Sequence, residues 1–393
     1  MTSVPLQPLV ALPRSGAPRA IGICGSYGGL NLGDEAILTV ALEQLRIAVP
    51  GVELTVFTRD VSHTRAHHDV DRAIDARTAF RDELVAEIGR LDLLLLGGGG
   101  ILYDRESECY LHVPRIAQAL GVPTATYAIG VGPLERHVER RAVADVLNGM
   151  VAITVRDLGT RRLLEQIGVT KEIAVTADPA LLLQAADPPV AELEWQGLDR
   201  NRHLVGISVR EPGGGTHGLE DGVYHRLLAN AADFVAERFD ANLIFVPMER
   251  QDIGHAHRVI AEMGSPDRAW VLKGTYGPRE VLGMMAGLDL AIGMRLHFVI
   301  FAALAGVPVL ALPYAAKVTG FLERVGLPTP QMVQREHAGV LLAAIDRMWD
   351  LREEHRRLVD ARMPGMQDES RMTAPLIAGL LAREVPRAAA RPA

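Results

Sequence analysis

The regular alternation of short apolar runs with longer amphipathic segments constrains the fold of this 393-residue chain more than any other feature. Apolar runs of strand length lie at 20–24, 52–58, 91–96, 124–129 and 152–155. Helical patterns follow several of these runs, at 34–47, 81–89 and 159–167. Because consecutive parallel strands need a crossover of helical length, this alternation predicts an α/β fold with a parallel sheet covered on both faces.

The alternation stops near residue 185 and starts again near residue 204, which predicts a second domain. The new strands are predicted at 204–209, 242–246, 269–273, 289–292 and 307–312. Two Rossmann-like, doubly wound domains then face a central cleft, since open α/β sheets bind ligands outside the carboxyl ends of their strands. The predicted divisions are a flexible N-terminus 1–18, an N-terminal domain 19–186, a linker 187–201, a C-terminal domain 202–335, helices 336–382 and a disordered tail 383–393.

Charge and cysteine usage exclude several classes of protein. The formal net charge of -7 argues against a nucleic-acid-binding protein, because such proteins present a basic face. Cys24 and Cys109 are far apart and form no CxxC motif, which argues against a disulfide framework or a structural zinc site. His63 and His67 have helical spacing, but a solvated polar face is favoured over a metal site. No metal is expected.

Two further segments bear on location. The N-terminus lacks the basic start and the continuous apolar run of a secretory signal. The apolar stretch 298–316 has the length of a membrane span, but Gly306, Pro308 and Pro313 divide it into a helix and a strand. These features predict a cytoplasmic protein.

A glycine-rich loop follows the first strand and leads into a helix. Gly28 and Asn31 belong to it, and Asp34 and Glu35 occupy the first turn of the helix. The spacing matches neither GxGxxG nor the GK[ST] of a P-loop, so a nicotinamide dehydrogenase ranks last among the candidate functions. Because two carboxylates repel a phosphate, this loop is expected to hold sugar hydroxyls. The alternative is that both acids only cap the helix.

Two more loops are predicted at strand ends in the first domain. Four glycines occupy 97–100, and Gly99 and Gly100 are expected to let a ligand approach the backbone closely. A tight turn without function is the alternative. Arg156 and Asp157 follow the strand at 152–155, where a local ion pair is the alternative to a ligand site.

The clearest site pattern lies in the second domain. Arg295 and His297 stand between the strand at 289–292 and an apolar helix. A guanidinium, an imidazole and a helix N-terminus together suit a phosphate or a carboxylate. Arg210, which precedes the glycines at 213–215, offers a second guanidinium, although a buried arginine bonded to carbonyls is its alternative. Lys317 can reach the same cleft, although a surface lysine is its default interpretation.

Taken in order, these loops resemble the polysaccharide pyruvyl transferase family over roughly residues 20 to 325. Most of these motifs are weak alone, and their ordered combination is specific. The motifs are Gly28 with the run NLGDEAIL at 31–38, the glycines at 97–100, AIGVGP at 128–133, VRD at 155–157, Asp178-Pro179, PM at 247–248 with Asp252, MRLH at 294–297, and Tyr314 with Lys317-Val318.

The resemblance implies a two-domain fold similar to GT-B, with the acceptor on the N-terminal side and the donor on the C-terminal side. It implies a transferase that uses phosphoenolpyruvate as donor and needs no cofactor. The enolpyruvyl unit goes to a sugar of a cell-surface polysaccharide or its precursor, where a pyruvate ketal forms and phosphate leaves. The resemblance also implies that Arg295, Leu296 and His297 contact the donor, and we extend the same role to Arg156 and Arg210.

A mechanism consistent with these residues uses His297 as the general acid and base near C2 and C3 of the donor. Asp34 or Glu35 then orients or deprotonates the acceptor hydroxyl from the opposite domain. The acceptor is a sugar, a glycan or a lipid-linked glycan, and a lipid carrier would allow peripheral membrane association.

Two other functions fit the same architecture. A GT-B glycosyltransferase would use a nucleotide-sugar donor, and release of UDP or GDP instead of phosphate would identify it. A sugar- or anion-binding relative without catalysis would keep the fold alone, since fold does not fix function. Retention of Arg295, His297 and the acidic helix start favours an enzyme.

Overall fold

A computed structural model describes residues 18–29, 31–187, 199, 201–211, 220–274, 276–312, 316–328 and 338–382. Several predictions lie outside these residues: the N-terminus before residue 18, most of the linker 187–201, the glycines at 213–215, Tyr314 and the tail 383–393. Along the chain, the strands of one sheet precede the predicted linker and the strands of the other sheet follow it. The domain limits themselves stay predictions.

The first sheet is parallel and seven-stranded in the order β3-β2-β1-β4-β5-β6-β7, the doubly wound order. Its strands are β1 (Ala20–Cys24), β2 (Glu53–Thr58), β3 (Arg72–Asp75), β4 (Leu93–Leu102), β5 (Thr124–Val131), β6 (Ile153–Val155) and β7 (Ile173–Val175). Its helices are α1 (Leu32–Ala48), α2 (Val61–His67), α3 (Arg81–Gly89), α4 (Ser107–Ala119), α5 (His137–Asn148) and α6 (Leu158–Gln166).

The second sheet is parallel and five-stranded in the order β10-β9-β8-β11-β12. Its strands are β8 (His203–Ser208), β9 (Ala241–Phe245), β10 (Ala269–Val271), β11 (Leu290–Gly293) and β12 (Val309–Ala311). Its helices are α7 (Asp221–Arg238), α8 (Asp252–Glu262), α9 (Pro278–Met285), α10 (Leu296–Leu304) and α11 (Ala316–Val325). The two sheets confirm the predicted pair of Rossmann-like domains.

Within the apolar stretch 298–316, residues 298–304 belong to α10 and residues 309–311 form β12, the helix and the strand that Gly306 and Pro308 predicted. Pro313 lies outside the described residues. Within the part of the chain that the structure describes, no helix combines the length and the apolar character needed to cross a bilayer.

The glycines at 97–100 differ from the predicted loop, because they continue strand β4. Gly97 pairs with Tyr127 and Gly99 with Ile129 of β5, and the register shifts only beyond Gly100. A β-carbon on Gly97 would lie 2.2 Å from the Tyr27 hydroxyl oxygen. A bare strand backbone therefore lets the loop after β1 pack directly on the sheet, and this close packing favours glycine.

Three C-terminal helices follow the second sheet: α12 (Ala338–Asp350), α13 (Arg352–Arg371) and α14 (Thr373–Ala382). Met363 of α13 joins an apolar core that includes Ile37 of α1 and Phe298 of α10, so this core connects both domains. The Ser370 hydroxyl donates a hydrogen bond of 3.1 Å to the backbone oxygen of Asp178. The C-terminal helices thus support the loop after β7 from behind.

Candidate active site

The N-terminus of α1 meets the second domain where the carboxyl ends of both sheets converge. The Leu32 amide donates to the Met248 carbonyl oxygen at 2.9 Å, which joins α1 to the segment after β9. A β-carbon on Gly33 would lie 1.9 Å from Nδ1 of His297, so the imidazole packs directly on this glycine. The predicted acidic helix start and the predicted Arg-Leu-His segment are therefore neighbours across the cleft.

His297 lies beside a buried carboxylate. Its Nε2 is 3.6 Å from Oδ2 of Asp178, and its side chain is 13% exposed. Nη1 of Arg156 donates to the same oxygen at 2.9 Å. Burial opposes ionisation of Asp178, but the charges of His297 and Arg156 outweigh it and hold the pKa of Asp178 well below its usual range. Asp178 is thus an ionised group beside His297, placed to orient the imidazole.

The contact between Gly33 and His297 leads to a first prediction. Gly33→Ala should lower activity by roughly 100-fold, because the new methyl group displaces the imidazole or the start of α1. Overpacking should also lower the free energy of unfolding by about 1–3 kcal/mol. Gly222→Ala is the matched control, since Gly222 is also the second residue of its helix and a β-carbon there meets no atom within 4 Å. Equal activity of the two variants would contradict the claim that activity depends on the close packing of His297 against Gly33.

Two cations converge on Gly100 from different domains. A β-carbon position on Gly100 is 3.4 Å from Nη2 of Arg156 and 3.9 Å from Nζ of Lys317. Arg156 is 5% exposed, whereas Lys317 is exposed at the start of α11. Arg156 also pairs with Asp157 at 3.5 Å, so the predicted local ion pair is present beside the cleft contact. Such a pair of cations beside bare backbone suits a small anion.

Arg295 contacts carboxylate side chains of the protein, where the sequence predicted a bound anion. Its Nη1 donates to Glu249 at 2.9 Å, and its Nη2 donates to Asp252 at 2.6 Å. Glu211 is a third carboxylate, 3.4 Å from Nη2. Burial opposes the charge of Arg295, but Asp252, Glu249 and Glu211 outweigh it and raise the pKa of Arg295. In this arrangement Arg295 organises an acidic cluster, and an anion would have to displace carboxylates to bind it.

A second prediction concerns the stability that this cluster provides. Arg295→Ala leaves Asp252, which is 1% exposed, without its cation, and should lower the free energy of unfolding by about 3–5 kcal/mol. Urea unfolding measures the change. Arg226→Ala is the control, because its pair with Glu262 is exposed and should contribute at most about 1 kcal/mol. Similar values for the two variants would show that the cluster is not a structural element.

Neither Arg210 nor Leu296 lies within 4 Å of the β-carbon position on Gly100 that Arg156 and Lys317 approach. Arg210 is half-buried and forms an ion pair with Glu211, which links it to Arg295. The backbone oxygen of Arg210 accepts a hydrogen bond of 2.9 Å from the hydroxyl of Tyr224. The Leu296 side chain is 6% exposed and belongs to the apolar core, which leaves its backbone at the start of α10 as its link to the site.

Asn31 and Asp34 prepare the other face of the cleft. Oδ1 of Asn31 accepts from the amides of Gly33 and Asp34, at 2.9 and 3.2 Å, and caps α1. The side-chain amide of Asn31 donates to Glu249 of the acidic cluster. Oδ1 of Asp34 lies 3.0 Å from a β-carbon position on Gly99, whose φ is +88°. Burial raises the pKa of Asp34, while the nearby charges of His297 and Lys317 oppose the rise.

Glu35 is placed differently from Asp34. Its Oε1 accepts from the amide of Gly28 at 2.9 Å, and its Oε2 contacts Nε2 of His68 at 2.6 Å. Glu35 is 4% exposed. Because both oxygens are occupied within the domain, Glu35 fixes the Gly28 loop and is poorly placed as an acceptor base. His68 lies on the segment that was predicted to be solvated, but it is 8% exposed and holds Glu35 in place.

Among the described residues, no three His, Cys, Asp or Glu side chains form a group that could hold a metal ion. A family model described as polysaccharide pyruvyl transferase matches residues 31–315. The amylovoran biosynthesis protein AmsJ of Erwinia amylovora is 25% identical over 290 residues, which cover 70% of this chain and 69% of that protein.

Two solved structures show the same architecture. A putative UDP-N-acetylglucosamine 2-epimerase from Listeria monocytogenes matches with a TM-score of 0.64 and 14% identity, over 95% of this chain and 99% of that one. The E. coli ADP-heptose heptosyltransferase II matches with a TM-score of 0.50 and 14% identity, over 84% of this chain and 98% of that one. At these identities the likeness establishes the GT-B-like fold alone.

Proposed function

Because the chain belongs to the polysaccharide pyruvyl transferase family, we propose that it transfers the enolpyruvyl unit of phosphoenolpyruvate to a sugar. The acceptor belongs to a cell-surface polysaccharide or its precursor, the product is a pyruvate ketal, and phosphate is released. The observation that carries the proposal is the convergence of Arg156 and Lys317 on Gly100, beside the His297–Asp178 pair. The relative named for amylovoran biosynthesis supports a biosynthetic role.

The donor requires cations that can reach both of its charged groups. Phosphoenolpyruvate carries a phosphate and a carboxylate, and guanidinium and ammonium groups bind both. Arg156 and Lys317 are placed to bind one of these groups at the Gly100 backbone. In this proposal Arg295 holds the acidic cluster against Asn31 and contacts the donor only after exchanging a carboxylate partner.

The chemistry then follows from His297 and Asp34. His297 donates a proton to the methylene carbon C3, and a sugar hydroxyl adds to C2 as Asp34 accepts its proton. The C2–O bond to phosphate breaks, and a second hydroxyl of the same sugar adds to C2 and closes the ketal. Of the two hydroxyl protons released, one balances the proton placed on C3 and the other leaves with phosphate.

Phosphate release tests this function. The wild-type protein is incubated with phosphoenolpyruvate and a panel of sugars and glycans, and phosphate and ketal are measured together. We expect both to appear in equal amounts, with no reaction from UDP- or GDP-sugars. Release of a nucleoside diphosphate from those donors, without phosphate from phosphoenolpyruvate, would reassign the protein to the glycosyltransferases.

A pH dependence follows from Asp34. Since burial raises its pKa, the carboxylate loses its charge at a higher pH than an ordinary aspartate as the solution is acidified. As a base it must be ionised, so acceptor-dependent turnover should fall on the acid side at a pH above the usual aspartate range. Asp34→Asn should remove most turnover while phosphoenolpyruvate still binds. Asp82→Asn, an exposed change on α3, is the control. Turnover that falls only within the usual pH range of an aspartate would contradict the role of Asp34 as the base.

The proposal places the enzyme in the cytoplasm. Cys24 and Cys109 are both free thiols, which suits a reducing compartment. A lipid-linked acceptor would bring the enzyme to the membrane surface.

A further inference from the structure

Helix α11 packs against α13 of the C-terminal helices and against α6 of the first domain, and it carries a cation near each of its ends. Lys317 is its second residue and approaches Gly100, whereas Arg324 lies in its last turn. The two cations are seven residues apart, which corresponds to roughly 10 Å along a helix. No atom of Arg324 lies within 4 Å of the β-carbon position on Gly100, so Arg324 stands outside the anion site itself.

The Arg324 guanidinium contacts two other segments of the chain. Its Nη1 donates a hydrogen bond of 3.2 Å to the backbone oxygen of Arg156, in the first domain. Its Nη2 forms an ion pair with Glu369 of α13. The next residue of α13, Ser370, donates to the backbone oxygen of Asp178 at 3.1 Å. Two consecutive residues of α13 thus hold the backbone of the buried Arg156–Asp178 ion pair, one of them through Arg324.

The anion site needs this support because its two cations repel each other. Arg156 and Lys317 approach one β-carbon position on Gly100 to 3.4 and 3.9 Å, and they belong to different domains. Like charges at such a distance favour separation when no anion lies between them. The hydrogen bond from Arg324 fixes the helix that carries Lys317 against the segment that carries Arg156. The separation of the two cations is then set before an anion binds, so less free energy is lost in ordering them.

We propose that Arg324 is a positioning residue that sets the distance between Arg156 and Lys317 and so preorganises the anion site for phosphoenolpyruvate. Glu369 holds the guanidinium in this orientation. The inference rests on the proposed function and adds a residue that acts on donor binding without touching the donor. As an ion pair alone, Arg324 and Glu369 would contribute little, because their side chains are 27% and 49% exposed.

Calorimetric titration with phosphoenolpyruvate tests this role. Arg324→Ala should weaken the affinity roughly 3- to 10-fold, the cost of ordering one long side chain anew. Arg324→Lys, which can still donate to the Arg156 carbonyl, should recover part of the loss. The urea midpoint should change little in either variant, because the ion pair is partly exposed. Arg356→Ala is the matched control, since Arg356 forms a partly exposed ion pair with Glu353 inside α13 and should leave the affinity unchanged.

A double variant separates positioning from simple attraction between charges. If Arg324 acts by spacing the two cations, removal of Lys317 leaves no spacing to set, and Arg324→Ala added to Lys317→Ala should weaken binding by less than about twofold. If Arg324 only attracted the anion, its loss would weaken binding by the same factor with and without Lys317, and that result would overturn the proposal. Glu369→Gln keeps the arginine but removes its charged partner, so it should weaken binding in the same direction and to a smaller extent.

Failure of the proposed function gives a different result from failure of this inference. If the wild-type protein binds no phosphoenolpyruvate, the donor assignment fails and the positioning role falls with it. If the wild-type protein binds phosphoenolpyruvate and both Arg324→Ala and Glu369→Gln bind it equally well, the positioning role alone is excluded.

Discussion

Replacing His297 with alanine should lower turnover by roughly 10²–10⁴-fold, while the affinity for phosphoenolpyruvate changes far less. The imidazole packs on Gly33 and lies 3.6 Å from Asp178. In the proposed mechanism it is the group that donates a proton to carbon C3. Single-turnover kinetics with phosphoenolpyruvate and an acceptor measure the chemical step, and calorimetry measures donor binding. His203→Ala is the control, because that histidine side chain is 48% exposed and lies at the start of β8.

Asp178→Asn refines the same prediction. The amide keeps the shape of the carboxylate but removes the charge that would stabilise a protonated His297. We expect turnover to fall in this variant too, by less than in His297→Ala. Wild-type turnover in His297→Ala would eliminate the imidazole as the acid. If only Asp178→Asn kept wild-type turnover, His297 would remain the proposed acid, and Asp178 would have no role in assisting it.

The sequence predicted the fold because its signals are local. Most of the buried strands are short apolar runs, and the stop and restart of the pattern separates the two sheets. The positions of Asp34, Arg156 and His297 at strand ends followed from the same pattern, since parallel strands place their carboxyl ends at one edge. The strands at 72–75 and 173–175 were missed, because they are only four and three residues long, and the first of them lies in a charged segment.

The partners of these side chains could not be predicted, because they depend on contacts between distant segments. Arg295 pairs with Asp252, 43 positions earlier, and such a pair has no periodicity to reveal it. Glu35 and His68 form a buried pair in the same way, although the segment around His68 is polar in sequence. Asp178 carried a usable signal, since a lone acid between a strand and Pro179 is suited to cap the next turn.

Lys317→Ala should weaken phosphoenolpyruvate binding by about 10- to 100-fold, which corresponds to the loss of one charge-assisted hydrogen bond. Lys317 is exposed at the start of α11, so its removal should leave the free energy of unfolding nearly unchanged. Calorimetric titration with phosphoenolpyruvate measures the affinity. Lys171→Ala is the matched control, because Lys171 is also exposed but precedes β7 and therefore lies at the opposite edge of its sheet.

Arg156 requires a different substitution, because it also neutralises Asp178. Arg156→Ala would leave that carboxylate buried with only His297 beside it, and lost stability would obscure any loss of binding. Arg156→Lys keeps the charge but loses the planar fork, so binding should weaken while the protein stays folded. If Arg156→Lys and Lys317→Ala each weaken binding and the double variant abolishes it, one anion bridges the two domains at Gly100. Wild-type affinity in Lys317→Ala would instead place the donor elsewhere, with Arg295 released from Glu249 as the next cation to test.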